Sequence, residues 1–302
     1  MKKIDYIFNK ADLEKRASER FKIKEVYKDG KNYNIAKDFL QKQKFIPYHN
    51  IKNLISLQKN TTYPIGYLMT DKSDIAVGYV GTWFSKRIIE NIECVFCNIH
   101  TWIVEKRYRL YSYYLISSLT KENLNLVALT PVESLKGLLL KYDFKKKKIY
   151  YKLVLNLKLF KFFKKKYEII KEKKNIEIQL NKEYLDIYNA YSKNTNKSFL
   201  IKDIKRNKKI LIIGSILKKK GIEIFNIFYV SDRFFFKEDW KIITNTISKE
   251  INISFFSEYI LENNENIFPN QILFSKIKQK EIYIKSNKKL CGLDLLNSDL
   301  II

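Results

Sequence analysis

The sequence predicts an α/β protein with a mixed central sheet flanked by helices and organised as two related lobes. Three observations predict it. Strand-like alternation and helix-spaced apolar runs follow one another along the chain. The order hairpin, long strand, helix, strand occurs twice. The length of 302 residues suits about two domains. The lobes are expected at 1–160 and 181–302, joined by a basic linker over 161–180.

In the first lobe, residues 22–28 (KIKEVYK) alternate as a strand does and run into a turn at Asp29-Gly30. Helices are expected at 33–43 and 50–59, separated by Pro47, which a helix interior does not accept. Residues 65–71 and 74–82 read as a hairpin around Asp71-Lys72-Ser73, followed by a long strand, ECVFCNIHTWIV, at 93–104. A helix is expected at 111–120 and a buried strand at 124–129. A second helix should fill 131–141, with Thr130 as N-cap and Pro131 in the first turn. A strand at 147–157 closes this half.

The second half repeats the order without a residue-level repeat. A helix is expected at 182–192, and a hairpin of 209–217 with 222–230 turned by Lys218-Lys219-Lys220-Gly221. A helix at 236–249 and a strand at 251–257 follow.

Composition narrows the class. At 46% hydrophobic residues with 8 Gly and 4 Pro, the chain is neither disordered nor fibrous. The formal charge is +26, yet Arg occurs only at 16, 20, 87, 107, 109, 206 and 233, so the charge is nearly all Lys. Nucleic-acid readers favour the planar arginine fork. The charge therefore reads as compositional drift plus a local patch, with a nucleic-acid surface the lesser alternative. Three cysteines, Cys94, Cys97 and Cys291, fit a reducing compartment better than a disulfide framework. The N-terminal residues lack the apolar core of a signal peptide, and the expected location is cytoplasmic.

The stretch 145–174 (KKKKIYYKLVLNLKLFKFFKKKYEIIKEKK) interleaves Lys with Leu, Phe and Tyr. It suits an anionic membrane surface, which would place the protein on the inner face of the membrane. The favoured reading is a closing strand followed by a solvated amphipathic linker packed between the lobes. The spacing Cys94-x-x-Cys97-x-x-His100 invites a metal reading. On a strand, however, Cys97 points away from the other two, and a fourth ligand is missing, so no metal is expected. The glycines exclude both GxxxxGK[ST] and GxGxxG.

Two runs carry more information. Val104-Glu105-Lys106-Arg107-Tyr108-Arg109 leaves the long strand, and Leu138-Leu139-Leu140-Lys141-Tyr142-Asp143-Phe144 ends the following helix. The first resembles the V-x-P-x-Y-R run of the GNAT acetyltransferase superfamily, and the second its L-Y-x-K-x-G-F ending. The resemblance implies a strand, a phosphate-gripping turn and a helix over about fifty residues, with a second, more diverged lobe of the same kind behind it.

It further implies an acyl-CoA-dependent N- or O-acyltransferase, using acetyl-CoA or another acyl-CoA and an amine or hydroxyl acceptor. Val104, Arg109 and Ser112 would hold the cofactor. His100, two residues along the strand from Asn98, where some members carry a general base, would deprotonate the acceptor. Tyr142, near the family's tyrosine position at Leu139, would protonate the thiolate. Tyr108 and Tyr111 would shape an acceptor pocket or simply pack. Family members act on antibiotics, proteins, polyamines and cell-envelope sugars, and the Lys-rich surface points to an anionic acceptor such as a glycan intermediate. The sequence departs from the family at the two glycine positions, which hold Ser112 and Tyr114. No glycine occurs between Gly81 and Gly137. That departure keeps two alternatives open: a non-enzymatic basic module for membrane or nucleic acid, and an aminoacyl-tRNA-dependent transferase.

Overall fold

A computed structural model describes residues 10–43, 62–89, 92–120, 124–129, 131–156, 166–191, 196–261, 267–268 and 275–286. The helix expected at 50–59, Pro47, Thr130 and Cys291 lie outside them.

The first half runs α1 (Lys10–Ser18), β1 (Lys22–Val26), α2 (Asn32–Gln41), β2 (Gly66–Thr70), β3 (Ala76–Ile89) and β4 (Ile92–Val104). A 3-10 turn (Lys106–Tyr111) then leads into α3 (Ser112–Thr120), β5 (Asn125–Ala128), α4 (Glu133–Lys141) and β6 (Lys145–Leu155). The second half comprises β7 (Tyr167–Ile170), α5 (Lys173–Gln179), α6 (Lys182–Tyr191), β8 (Asn196–Asp203) and β9 (Lys209–Lys219). It continues through β10 (Ile222–Val230), α7 (Arg233–Ile251), β11 (Phe255–Leu261) and β12 (Ser275–Lys285).

The strands form one mixed sheet, ordered β1-β2-β3-β4-β5-β12-β6-β11-β10-β9-β8-β7. Among the described residues only β4–β5 and β10–β11 pair in parallel. Each of these pairs is joined through a helix, α3 or α7, because a parallel connection needs a crossover. The strand order shows how the halves unite. β6, closing the first half, pairs with β11 of the second, and β12 inserts between β5 and β6.

Alternation along the strands sends apolar residues to both faces. On one face, Cys97, Ile99 and Val104 of β4 join Tyr113, Leu115, Ile116 and Leu119 of α3 and Leu139 of α4. Further along that face, Ile212, Phe225 and Phe256 pack with Phe235, Phe236, Trp240 and Ile243 of α7. The opposite face is covered by Ala36, Phe39 and Leu40 of α2 in the first half, and by Ile176, Ile187 and Tyr188 of α5 and α6 in the second. Both faces being buried explains the near-continuous apolar runs of β9 and β10.

Several sequence expectations need correction. Residues 167–179, read as part of a linker, form β7 and α5, with β7 paired to β8. Helix α4 begins after Val132, whose side chain makes no cap. Helix α7 starts at Arg233, because the Asp232 carboxylate accepts the Phe235 N–H at 2.8 Å. It ends at Asn252 in the left-handed conformation, which delays β11 to Phe255. The β9–β10 connection is a two-residue turn at Lys220-Gly221, with φ of 52° and 79°. Strands β8 and β12 and helix α1 are elements beyond those the sequence pattern predicts. Among the described residues no helix is long and apolar enough to cross a membrane.

Candidate functional site

The two parallel pairs share a local design. β4 pairs with β5 only from Phe96↔Asn125 to Asn98↔Val127; among the described residues its β5-facing edge then runs unpaired to Val104. Just beyond the last pair β4 bulges. Gly81 faces His100 and Tyr79 faces Ile103, so Thr101 and Trp102 together oppose Val80. Thr101 sits at φ 46°, an outlying conformation for a β-branched residue. Such a bulge bends the strand and re-aims its side chains. In the second half β10 bulges at Phe228, directly after its last pair with β11, Ile227↔Glu258. Each half thus has a crevice where two parallel strands diverge, with a helix N-terminus above it.

In the first half the bulged strand ends at Val104, which is buried and pairs with Gly78. The Glu105 N–H closes the ladder on the Val77 carbonyl at 2.9 Å. The chain then winds into the 3-10 turn. Phe21 pins this turn from below, its ring 5.2 Å from that of Tyr108 and 5.0 Å from that of Tyr111. Both tyrosines therefore pack against the end of α1–β1. The turn presents Lys106, Arg107, Arg109 and Leu110 to solvent. Arg107 is held by Glu105 at 3.0 Å and lies over the Tyr108 ring, whereas Arg109 makes no ion pair among the described residues. Ser112, half-buried, opens α3. Its N–H donates to the Arg109 carbonyl, so this amide is already engaged. Tyr114 is half-buried against the α3 core, and Tyr113 ties α3 to α1 through the Leu13 carbonyl at 2.5 Å.

His100 shares the α2-side face of β4 with Asn98, as its spacing predicts, and is 9% exposed. Its ring sits over Gly81, with Nδ1 3.0 Å from the Thr101 hydroxyl. Burial lowers its pKa to about 4, although a hydrogen bond to the Thr82 backbone opposes the shift. The imidazole is therefore neutral at pH 7. Tyr142 lies elsewhere. It is fully buried in the core that α3 and α4 share, on the opposite face of the sheet, and burial raises its pKa above the ordinary range. The sheet thus separates His100 from Tyr142. Cys94 and Cys97 fall into different cores on opposite faces. Among the described residues, no group of three or more His, Cys, Asp or Glu side chains is placed to hold a metal.

The equivalent crevice of the second half is filled by charge. Glu258, at the last β10–β11 pair, is 2% exposed and bonded by Arg233 from the first turn of α7, and its carboxylate also accepts the Ile267 N–H. Burial raises the Glu258 pKa, with Arg233 opposing. Next to it the buried Lys152 donates to the Phe268 carbonyl at 2.6 Å. This cluster had no sequence signature, because its members come from β6, α7 and β11.

No protein-family model matches the chain, and no curated protein matches it. Solved structures do. A GCN5-related N-acetyltransferase from Anabaena variabilis ATCC 29413 is similar with a TM-score of 0.60 and 11% identity, over 88% of this chain and 72% of that one. One from Kribbella flavida gives a TM-score of 0.58 at 7% identity, over 87% and 70%. A protein of unknown function from Enterococcus faecalis V583, described as a probable N-acyltransferase, gives 0.56 at 8% identity, over 88% and 72%. At such identities it is the architecture alone that is shared: the chain has the fold seen in GCN5-related N-acetyltransferases.

Proposed function

We propose that the chain is an acyl-CoA-dependent N- or O-acyltransferase built of two GNAT-like lobes, with its acyl-CoA held in the first half. The observation that carries this reading is the contrast between the two crevices. Beside β4 the helix is entered through an exposed turn bearing Lys106, Arg107 and Arg109, and the edge of β4 is open. Beside β10 the helix N-terminus is capped by the Asp232 carboxylate, with Glu258 buried alongside. The first arrangement attracts a pyrophosphate, whereas in the second the Asp232 carboxylate already occupies the helix N-terminus and Arg233 is engaged by Glu258. One acyl-CoA per chain is therefore expected.

The residues fit that cofactor in an altered way. In place of glycines and free helix amides, the cations of the turn hold the phosphates: Arg109 binds, the Ser112 hydroxyl donates, and the Val104 main chain borders the open edge. When bound, acyl-CoA supplies an activated thioester. His100, beside the bulge and past the last β4–β5 pair, is unprotonated at neutral pH and receives the proton of the attacking amine or hydroxyl. Its depressed pKa keeps it in the accepting form while weakening it as a base. Tyr142, enclosed in the core, is given no step.

The acceptor class we favour is small and anionic, a cell-envelope glycan intermediate being one example, and acetyl-CoA is the simplest donor. We place the protein in the cytoplasm, and the exposed Lys145, Lys278 and Lys280, which share one face of β6 and β12, favour contact with the inner, anionic membrane face. Sedimentation with anionic vesicles, lost at high salt, tests that contact.

Calorimetric titration of acetyl-CoA into the purified chain tests the reading. Micromolar binding at one site per chain, weakened in Arg109→Ala, supports it. Absence of binding in wild type and in Tyr114→Gly overturns it. The engaged Ser112 amide favours the second reading, a basic GNAT-like module or an aminoacyl-tRNA-dependent transferase, and that result would move the search to anionic lipid and charged tRNA.

A further inference from the structure

Five strands share one end of the sheet: β9 ends there at Lys219, β10 and β11 begin, β6 closes at Leu155 and β12 starts at Ser275. The β9–β10 turn at this end reads Lys218-Lys219-Lys220-Gly221-Ile222, and all five residues are exposed. With Glu223 included, three lysines stand against one carboxylate, a net of +2. Ile222 is 44% exposed beside these ammonium groups, and Ile216, on the other face of the hairpin, is 36% exposed. One exposed isoleucine is ordinary. Two of them flanking three lysines make an amphipathic tip.

There is open space beside this tip. Between it and the loop 252–254 after α7 lies a cavity of about 330 Å³, toward the lower end for ligand pockets. Its wall is apolar at Ile222, Ile253 and Phe255, and Lys218 and Glu223, direct partners across the hairpin, line it too. Nothing lies within 4 Å of a Cβ placed on Gly221, so the turn backbone is open on that side.

The basic surface continues from the tip onto one face of the sheet. Lys219 stands on the face that carries Lys278 and Lys280, and its ammonium lies 5.5 Å from the Tyr151 ring. Tyr151 is the direct partner of both Tyr259 and Lys278, and Lys280 lies 5.8 Å from the Tyr259 ring. Both tyrosines are half-buried. In sequence β6 is followed by LKLFKFFKK, residues 157–165, the same mixture of lysine and large apolar side chains.

Two polyanions suit lysines and tyrosines, and the isoleucines decide between them. A single-stranded nucleic acid leaves Ile216, Ile222 and the apolar cavity wall without a partner. An anionic bilayer presents phosphates in a plane with hydrocarbon behind them, and tyrosine favours that boundary. We propose that the tip 218–222, with the cavity beside it, docks on an anionic bilayer. The lysines take the lipid phosphates, and Ile222 enters the acyl boundary. The site deepens the membrane contact inferred above and rests on that reading, but it does not rest on acyl transfer.

The test is co-sedimentation of the full chain with vesicles of phosphatidylglycerol mixed into phosphatidylcholine, and with vesicles of phosphatidylcholine alone. Binding to the anionic vesicles only is expected. The combined variant Lys218→Gln, Lys219→Gln, Lys220→Asn should weaken it about a hundredfold, at about fivefold per lysine. Asparagine keeps the left-handed turn position, and thermal unfolding reports whether the hairpin is intact. Ile222→Ser should weaken binding about fivefold, by a ratio that salt leaves unchanged while it shrinks the effect of the charge variant. Equal binding by wild type and the charge variant overturns the site. If Lys278→Gln with Lys280→Gln then weakens the vesicles instead, the contact on the β6–β12 face stands without it. No binding by wild type overturns both. Single-stranded poly(U) bound in place of vesicles, and lost in the charge variant, gives the tip to nucleic acid and overturns the bilayer. Inorganic phosphate competing better than chloride at equal ionic strength also overturns it, because a free phosphate would then suffice.

Discussion

The imidazole of His100 occupies the space above Gly81: a Cβ built on Gly81 would lie 2.2 Å from the ring's Cε1 and 2.5 Å from Nδ1. The two residues are direct partners on β3 and β4, and Gly81 also pairs with Gly66, over which Tyr79 lies. Two glycines facing each other thus leave a bare strip of sheet on which two rings are seated. Gly81→Ala is expected to destabilise folding by about 1–3 kcal/mol through overpacking. His100→Ala in the same chain should recover part of that loss, because the clash disappears with the ring. Urea unfolding of both single variants and the double variant checks this; strict additivity would show that the ring is not seated there.

A second prediction concerns pH. The unfolded chain carries His100 with a pKa near 6.5, and the folded chain with one of about 4. Between these values the unfolded state binds more protons, so stability falls as pH drops from about 6.5 to 4. The window corresponds to about 3 kcal/mol at most. His100→Asn should flatten this part of the profile, and an unchanged slope in that variant would place the ring in water.

The β9–β10 turn gives a third. Lys220 and Gly221 both have positive φ, the pattern of the two-residue hairpin turn that matches strand twist. Nothing lies within 4 Å of a Cβ added at Gly221, so Gly221→Ala costs conformational strain alone, about 1 kcal/mol. Lys220→Asn, which tolerates the same region better, should gain a few tenths of a kcal/mol. Thermal unfolding of the two variants should move in opposite directions.

How much of this was legible in the sequence depends on which interactions fix each part. The β2–β3 hairpin, β4, α3, β5 and β6 follow from local alternation, helical spacing and turn residues, and their bounds agree to within two residues except that β3 runs on to Ile89, seven residues past the expected end at 82. The fold resemblance rests on the runs Val104 to Arg109 and Leu138 to Phe144, and the architecture agrees with it. β12 is not legible, because its place between β5 and β6 is set by pairing with residues about 120 to 160 positions away. The bulge at Thr101 was invisible too, since a threonine gives no sign that it will adopt φ 46°. Two-residue spacing puts His100 and Asn98 on one face, as the structure has them, but the partition between His100 and Tyr142 is set by the sheet. Nor could sequence order reveal that Glu258, Lys152 and Arg233 meet.

The last prediction concerns the cap that separates the two crevices. Asp232 Oδ1 accepts the Phe235 N–H at 2.8 Å, satisfying one of the orphan amides at the start of α7. Asp232→Ala is expected to cost about 1 kcal/mol. Asp232→Asn keeps the acceptor and loses only the favourable charge at the helix N-terminus, so its cost should be smaller, within about 0.3–1 kcal/mol. The difference between the two variants isolates hydrogen bond from charge, and raising the salt concentration should shrink the loss in Asp232→Asn while leaving that in Asp232→Ala largely intact. Because Glu258 remains buried beside α7 in both variants, acetyl-CoA stoichiometry is expected to stay at one per chain. A second site appearing in Asp232→Ala would mean that the carboxylate cap alone had closed the second crevice.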